Sequence, residues 1–423
     1  MSSPLYLGID IGTSGVRAVV VNADGDIRAW RRQDYLDPGR PGEQDAESWW
    51  DTLCAVLDSL ADENLGKHIA ALGLDATSGT VVAIDHNGDP LAPALMYNDA
   101  RAKAEAERIA RLAPRESAAH GAGSGLAKAL TLRARHPGAE CVSQADWILR
   151  RLGMPAGHSD QHNMLKWGWD PLTGSWPAWL SELGLDDLPT VHVPGTPLGR
   201  LDAELARRFR INPDCRLCAA TTDSNAAFVA SGASRIGEAV TSLGSTLVTK
   251  VLSATPVFAP EFGVYSHPFP NPDGTPIWVV GGGSNSGGAV LKQHFCNGEM
   301  QELSARVEPD RPTGLDYYPL PGIGERFPVN DPDLAPRLTP RPADDAVFFQ
   351  AMLEGMARIE QHAYRLLAEL GAPYPTSLRT AGGGAHNAAW SEIRHRMLGV
   401  KMLPATQEEA AYGAALLTGS RSP

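Results

Sequence analysis

Leu5-Tyr-Leu-Gly-Ile-Asp-Ile-Gly-Thr-Ser-Gly-Val16 sets the architecture of the chain. Leu5–Asp10 reads as a strand, Gly12-Thr-Ser-Gly15 as a tight turn and Val16–Asn22 as a second strand. Asp24-Gly25 is a hairpin signal that leads into a third. The theme returns in the second half, where Ala239–Leu243 predicts a strand, Gly244-Ser-Thr246 a turn and Leu247–Leu252 another strand. Two halves that open alike predict an internal duplication, with a cleft between like halves.

Between these hairpins the pattern is mixed. Glu47–Ala61 predicts a helix with Leu53, Val56, Leu57 and Leu60 on one face. Ala70–Leu74 and Val81–Asp85 read as strands around the irregular Asp75-Ala-Thr-Ser-Gly79, followed by a polar helix over Ala102–Leu112 and a glycine-rich patch at Gly121–Gly125. Lys166-Trp-Gly-Trp-Asp-Pro171, with Trp176 and Trp179, predicts aromatic packing over an irregular segment rather than a substrate lid. Apolar periodicity marks a long helix over Val347–Leu370. A glycine loop at Gly382–Gly384 and a helix over Ala388–Leu398 follow. The last helix is expected to open on a capping box, Thr406-Gln-Glu-Glu409, and to present the small face Ala411, Ala414, Ala415 and Thr418.

With 423 residues, 43% of them hydrophobic, the chain suits two domains better than one core. Its net charge of −12 is spread along the sequence, which argues against nucleic acid or an anionic membrane as partner. No apolar run is long enough to span a bilayer. The first residues lack a basic segment followed by an apolar one, and the five cysteines are few and odd in number; together these predict reduced thiols in a cytoplasmic protein. Cys215 and Cys218 are expected as small core residues on a strand, and His158 and His162 as surface histidines, because nothing nearby completes a metal site.

Several chemistries lose their main support. The only Gly-Lys pair, Gly66-Lys67, is followed by His, so there is no P-loop, and neither a Gly-x-Gly-x-x-Gly nor a His-Glu-x-x-His motif occurs. What remains are the two turns. Gly12, Thr13 and Ser14, and likewise Gly244, Ser245 and Thr246, can present amides and hydroxyls to a phosphate, since glycine allows close backbone approach. Gly382-Gly-Gly-Ala-His-Asn387 reads equally as a nucleotide loop or a plain strand-to-helix connector. Asp223 falls where an apolar strand ends and a helix begins; it suits an N-cap, and equally a base that accepts a proton from a hydroxyl. Asp10 ends the first strand beside the first turn. The pair could bracket a phosphoryl transfer, Asp10 near magnesium and Asp223 near the nucleophile.

These pieces resemble the FGGY family of carbohydrate kinases, in order, over nearly the whole chain. Gly8-Ile-Asp-Ile-Gly-Thr-Ser-Gly15 resembles the family's first phosphate motif, Leu243-Gly-Ser-Thr246 its second, and Thr222-Asp-Ser-Asn-Ala-Ala227 its catalytic segment. Gly288-Ala-Val-Leu-Lys292 and Gly383-Gly-Ala-His-Asn387 are similar to its nucleotide loops, and Glu409–Leu417 to its closing helix. The resemblance implies an α/β fold of duplicated ribonuclease H-like (actin-like ATPase) domains with an interdomain active-site cleft. Residues 1–232 would form the sugar-binding domain and 233–423 the nucleotide-binding one. ATP and Mg2+ are implied, with Gly288, Lys292, Gly383, Gly384 and Asn387 at the nucleotide.

Xylulose kinases carry Gln-Met-His-Gly where this chain has Thr77-Ser-Gly-Thr80, and glycerol kinases carry Gln-Arg-Glu. Asp75-Ala-Thr, Tyr97-Asn-Asp-Ala-Arg101 and Ser159–Lys166 look instead like the D-ribulose kinases of cyanobacteria and plants. The expected activity is phosphorylation of the C5 hydroxyl of D-ribulose, with Asp223 as general base and Asp10, Thr77, Ser78 and Asp223 holding the sugar. Rivals are a xylulose kinase or other polyol or keto-sugar kinase of the family, a non-catalytic sugar sensor and a chaperone-like or filament ATPase. The intact Asp223 and both turns argue against the sensor, and the long mid-chain segment against the ATPase. The expected partner is a small sugar, and a homodimer is compatible with the resemblance.

Overall fold

The computed structural model describes residues 3–61, 63–271 and 274–419. The chain divides into two compact units. One holds the residues up to Ala230 together with those from Glu409 onward, and the other holds Ser231–Asn271 and Thr275–Glu408. The C-terminal helix Ala410–Gly419 thus belongs to the first unit, whereas the sequence reading assigned it with everything after residue 232 to the second.

The first unit is built on a sheet in the order Pro197–Arg200, Arg216–Cys218, Ile69–Ala76, Leu5–Ile11, Gly15–Asn22, Ile27–Asp34. The three N-terminal strands form the expected antiparallel meander, while Ile69–Ala76 runs parallel to Leu5–Ile11, and Arg216–Cys218 and the short Thr221–Thr222 run parallel to Ile69–Ala76. All seven residues of Leu5–Ile11 are buried, which is the continuous apolar pattern of a strand covered on both faces. Cys215 and Cys218 are buried free thiols, as expected of core residues.

The second unit repeats this plan. Its sheet runs Tyr265–Pro268, Trp278–Ser284, Leu247–Ser253, Glu238–Leu243, Ser377–Ala381, Lys401–Leu403. Here too antiparallel strands are followed by strands parallel to the first of them, but Tyr265–Pro268 lies at the sheet edge, outside Trp278–Ser284, which follows it in the chain. The duplication inferred from two hairpins therefore extends to the direction of the strands that follow them.

Three expectations change. The last helix begins at Ala410, so Thr406 does not cap it; the Thr406 amide instead donates to the Ser231 carbonyl at 3.0 Å. His162 is buried rather than on the surface, its Nδ1 sharing a 2.7 Å hydrogen bond with the Thr221 hydroxyl, and His158 pairs with His192 at 2.9 Å. The glycine patch leads into an unforeseen helix, Gly125–Arg135, capped by Ser124. Trp167 and Trp169 are buried, as packing residues should be. Among the described residues no helix is long and apolar enough to cross a membrane.

The C-terminal helix lies against the strands that carry the first turn, and glycines make this possible. A Cβ on Gly8 would stand 1.8 Å from the Ala411 carbonyl oxygen, and one on Gly73 2.2 Å from that of Ala414. On the helix itself, a Cβ on Gly413 would stand 1.9 Å from the Ala226 oxygen. The obstructing atoms are backbone and cannot swing aside. Gly8→Ala is expected to cost about 1–3 kcal/mol and lower Tm by several degrees in thermal unfolding. Gly322→Ala, with no atom within 4 Å of the added carbon, should leave Tm nearly unchanged.

Candidate active site

Parallel register brings strand ends together, and with them three carboxylates. Asp10 pairs with Asp75 across Leu5–Ile11 and Ile69–Ala76, and Asp75 pairs with Thr221, two residues before Asp223. Asp10 is buried and its Oδ2 accepts a 2.9 Å bond from Arg17, which lies opposite it on the neighbouring antiparallel strand. Asp75 is fully buried, and no donor reaches either of its oxygens. Asp223 opens the helix Asp223–Ala230, its Oδ1 accepting the Ser224 amide at 2.7 Å. It is therefore a helix-end carboxylate that also stands in the field of two others.

Burial is the main force on these groups. It raises Asp10 to about 6 against the pull of Arg17, with the Asp223 charge adding to the rise. Asp75 is pushed well above the usual carboxylate range by burial first, then by the Asp10 and Asp223 charges. Two carboxylates have no donor between them; with one proton, Asp10 and Asp75 become an acid–carboxylate pair. The proton belongs on Asp75, since Arg17 favours the anion at Asp10.

The first turn is fastened from behind. The Gly12 carbonyl accepts the Tyr35 hydroxyl at 2.9 Å, the Thr13 carbonyl the Gln44 side-chain amide at 2.7 Å, and the Ser14 carbonyl the Tyr35 amide at 3.0 Å. With its carbonyls occupied, the turn offers amides and hydroxyls at the exposed Thr13 and Ser14.

Thr77 and Ser78 divide their duties. Thr77 is buried; its hydroxyl and amide both donate to Gln144 Oε1, at 2.7 and 3.1 Å, and its hydroxyl also meets that of Thr80 at 2.6 Å. Its polar atoms are spent on holding the loop, which leaves the half-buried Ser78 as the residue able to face a ligand. Lys128 completes the fastening. Buried, it donates to the carbonyls of Gly79, Met96 and Gly123 at 2.9, 2.7 and 3.1 Å. Burial, and then the Lys166 charge, push its ammonium down to about 7. Sequence reasoning missed Asp75, Gln144 and Lys128 as site residues; the Asp10–Asp75 register was the one signal that could have found the first.

In the second unit a cavity of about 820 Å³ gathers most of the residues expected at a nucleotide. Gly244, Ser245, Gly288, Lys292, Gly383, Gly384 and Asn387 all line it; Thr246 does not. The Gly288 amide donates to the Gly244 carbonyl at 2.8 Å, and a Cβ there would stand 2.9 Å from that oxygen. Asn387 caps the helix Ala388–Leu398 through the Trp390 amide and donates to the Ser304 hydroxyl at 2.9 Å. Behind these loops a fully buried pair, Arg394 and Glu360, bonds at 2.6 Å and ties in Thr241 and Thr380, one on each strand that feeds a glycine loop. The volume suits a drug-sized ligand.

Comparison with known proteins decides the family. The N-terminal domain model of the FGGY family of carbohydrate kinases matches residues 5–133, and its C-terminal domain model residues 239–421. The chain belongs to the FGGY family of carbohydrate kinases. It is an ATP-dependent sugar kinase, and its two sheets are the duplicated ribonuclease H-like domains of the actin-like ATPase fold. It is 25% identical to the xylulose kinase of Escherichia coli (strain K12), over 92% of this chain and 84% of that one. Its fold matches the crystal structure of xylulose kinase from Rhodospirillum rubrum with a TM-score of 0.83 at 22% identity, covering 98% of this chain and 89% of that one. Plasmodium falciparum glycerol kinase with ADP gives 0.85 at 16%, covering 99% and 89%.

A carboxyl raised to about 6 carries its charge above that pH and loses it below. If the kinase reaction needs Asp10 as the anion, kcat/KM falls as pH drops through about 6. In Asp75→Ala the protonated carboxyl that favours the Asp10 anion is gone, Asp10 ionises less easily, and this acid limb moves to higher pH. A limb that stays in place in the variant would contradict the coupling.

Proposed function

We propose that this kinase transfers the γ-phosphoryl group of ATP to the C5 hydroxyl of a ketopentose, D-ribulose foremost, with Asp223 as general base. The observation that carries the reading is the position of Asp223: a carboxylate at a strand-to-helix junction, in the field of Asp10 and Asp75. In an open α/β sheet, ligands bind outside the carboxyl ends of parallel strands. There Asp223 accepts the hydroxyl proton as the oxygen attacks phosphorus and the bond to ADP breaks.

The residues present suit the rest of the chemistry. Gly12, Thr13 and Ser14, with Gly244, Ser245 and Thr246, supply amides and hydroxyls to phosphate oxygens. Gly288, Lys292, Gly383, Gly384 and Asn387 hold the remainder of the nucleotide. Asp10 is a hard oxygen donor of which Arg17 engages only Oδ2, and no cluster of three ligating side chains occurs among the described residues. That is the donor set a magnesium ion takes when substrate phosphates and water complete its shell, and bound there it offsets charge on the transferred group. Asp10 and Ser78 orient the sugar, while Thr77 shapes the loop through Gln144.

D-xylulose, which differs from D-ribulose at one carbon, is the second reading, favoured by the name of the 25%-identical relative. The loop sequence Asp75-Ala-Thr-Ser-Gly79 favours ribulose. A panel of D-ribulose, D-xylulose, pentitols and glycerol in a coupled ADP assay is expected to give the highest kcat/KM with D-ribulose. A preference for D-xylulose would overturn the sugar assignment and leave the kinase intact. Asp223→Ala should lower kcat by about 10²–10⁴-fold or more while calorimetric ATP affinity persists. Turnover near that of the parent protein would remove Asp223 as the base.

A further inference from the structure

Asp223 is carried by a strand of two residues, Thr221–Thr222, which among the described residues pairs with Ile69–Ala76 alone. Just before it the chain is bonded elsewhere: the Ala219 amide donates to the Thr196 carbonyl at 2.8 Å, and the Ala219 carbonyl accepts the Gly195 amide at 2.9 Å. So short a strand has few ladder bonds with which to fix the residue that follows it.

Side chains supply the rest of the hold. In the four-residue helix Gln161–Met164, His162 Nδ1 shares its 2.7 Å hydrogen bond with the Thr221 hydroxyl, and Asn163 Nδ2 donates to the Thr221 carbonyl at 3.3 Å. A helix of one turn has no stability of its own. Asp160 provides it: Oδ1 accepts the His162 and Asn163 amides, both at 2.9 Å, and Oδ2 accepts Asn163 Nδ2 at 2.7 Å. Thr222 is engaged from the other direction along the chain, its hydroxyl accepting Asn225 Nδ2 at 3.0 Å.

Asp160, His162, Asn163, Thr221, Thr222 and Asn225 are all buried. Polar side chains are costly to desolvate, and apolar ones would fill the same space without that cost. What a bonded polar network adds is one fixed geometry. The backbone fixed here lies two residues before Asp223, and a misplacement of about 1 Å in a group that meets substrate can cost about 100-fold in rate.

We propose that His162 and Asn163 are positioning residues, which act through Thr221 to set the place from which the Asp223 carboxylate meets the sugar hydroxyl. The inference rests on the reading of Asp223 as the base. Thr221→Val removes the hydroxyl that His162 engages, and Asn163→Leu removes the donor to the Thr221 carbonyl. Each is expected to lower kcat about 10–100-fold while the KM for ATP and for the preferred sugar stays within about threefold of the parent value. Thr221→Ser, which keeps the hydroxyl, should recover part of the loss. A double-mutant cycle separates positioning from a general weakening of the fold. With Asp223→Ala already in place, neither substitution should lower the residual turnover further, because the carboxylate they position is gone. The proposal is overturned if folded Thr221→Val and Asn163→Leu both turn over like the parent, or if their full loss persists beside Asp223→Ala. Parent-like turnover in Asp223→Ala alone would remove the base and this inference with it, so the two failures are told apart. If one variant fails to fold, the other carries the same cycle.

Discussion

The site depends on one constraint, the parallel register that ends Leu5–Ile11, Ile69–Ala76 and Thr221–Thr222 at a common level. Because of it, Asp10, Asp75 and Asp223 share one field, with Arg17 the cation bonded to Asp10. Left ionised together in a buried place they would repel one another strongly, and the chain resolves this by giving them different environments. Arg17 keeps Asp10 charged, full burial keeps a proton on Asp75, and Asp223 sits at a helix start where the Ser224 amide meets it. Carboxylates driven apart in this way can take separate chemical roles.

Around these three groups the fold spends its polar side chains on fixing backbone. Tyr35 and Gln44 occupy the carbonyls of the first turn, Gln144 holds Thr77, and Lys128 gathers three carbonyls from three segments. In the second unit the buried Arg394–Glu360 pair does the same for the strands that feed the glycine loops. A turn that binds phosphate, as we propose for these, must not rearrange as charge develops on its ligand, since preorganised dipoles act only if they are already in place. Removing one member of the Arg394–Glu360 pair would strand a buried charge, so that pair fixes geometry at considerable risk to stability.

Much of this was legible in the sequence because it is local. Two glycine-hydroxyl turns between apolar strands gave the duplication, and seven of the residues expected at the nucleotide do line one cavity. What escaped was set by pairing across distance. Asp75 reads as the end of an ordinary strand until its register with Asp10 is known. Thr77 looks like a sugar ligand until Gln144, far along the chain, is seen to claim its hydroxyl. Lys128 lies on a helix that the sequence reading did not foresee, and only tertiary contacts bury it. The Thr406-Gln-Glu-Glu409 pattern matched a capping box, but the helix starts one residue after it, where the chain joins the first unit.

The central claim is that the sugar hydroxyl under attack is held by Asp223. A crystal structure of the protein with D-ribulose and a non-hydrolysable ATP analogue tests it most directly. The account predicts the C5 oxygen within about 2.6–3.2 Å of an Asp223 carboxylate oxygen and in line with the terminal phosphorus. A complex in which that oxygen rests on another base, with the Asp223 carboxylate turned away from the sugar, would contradict it.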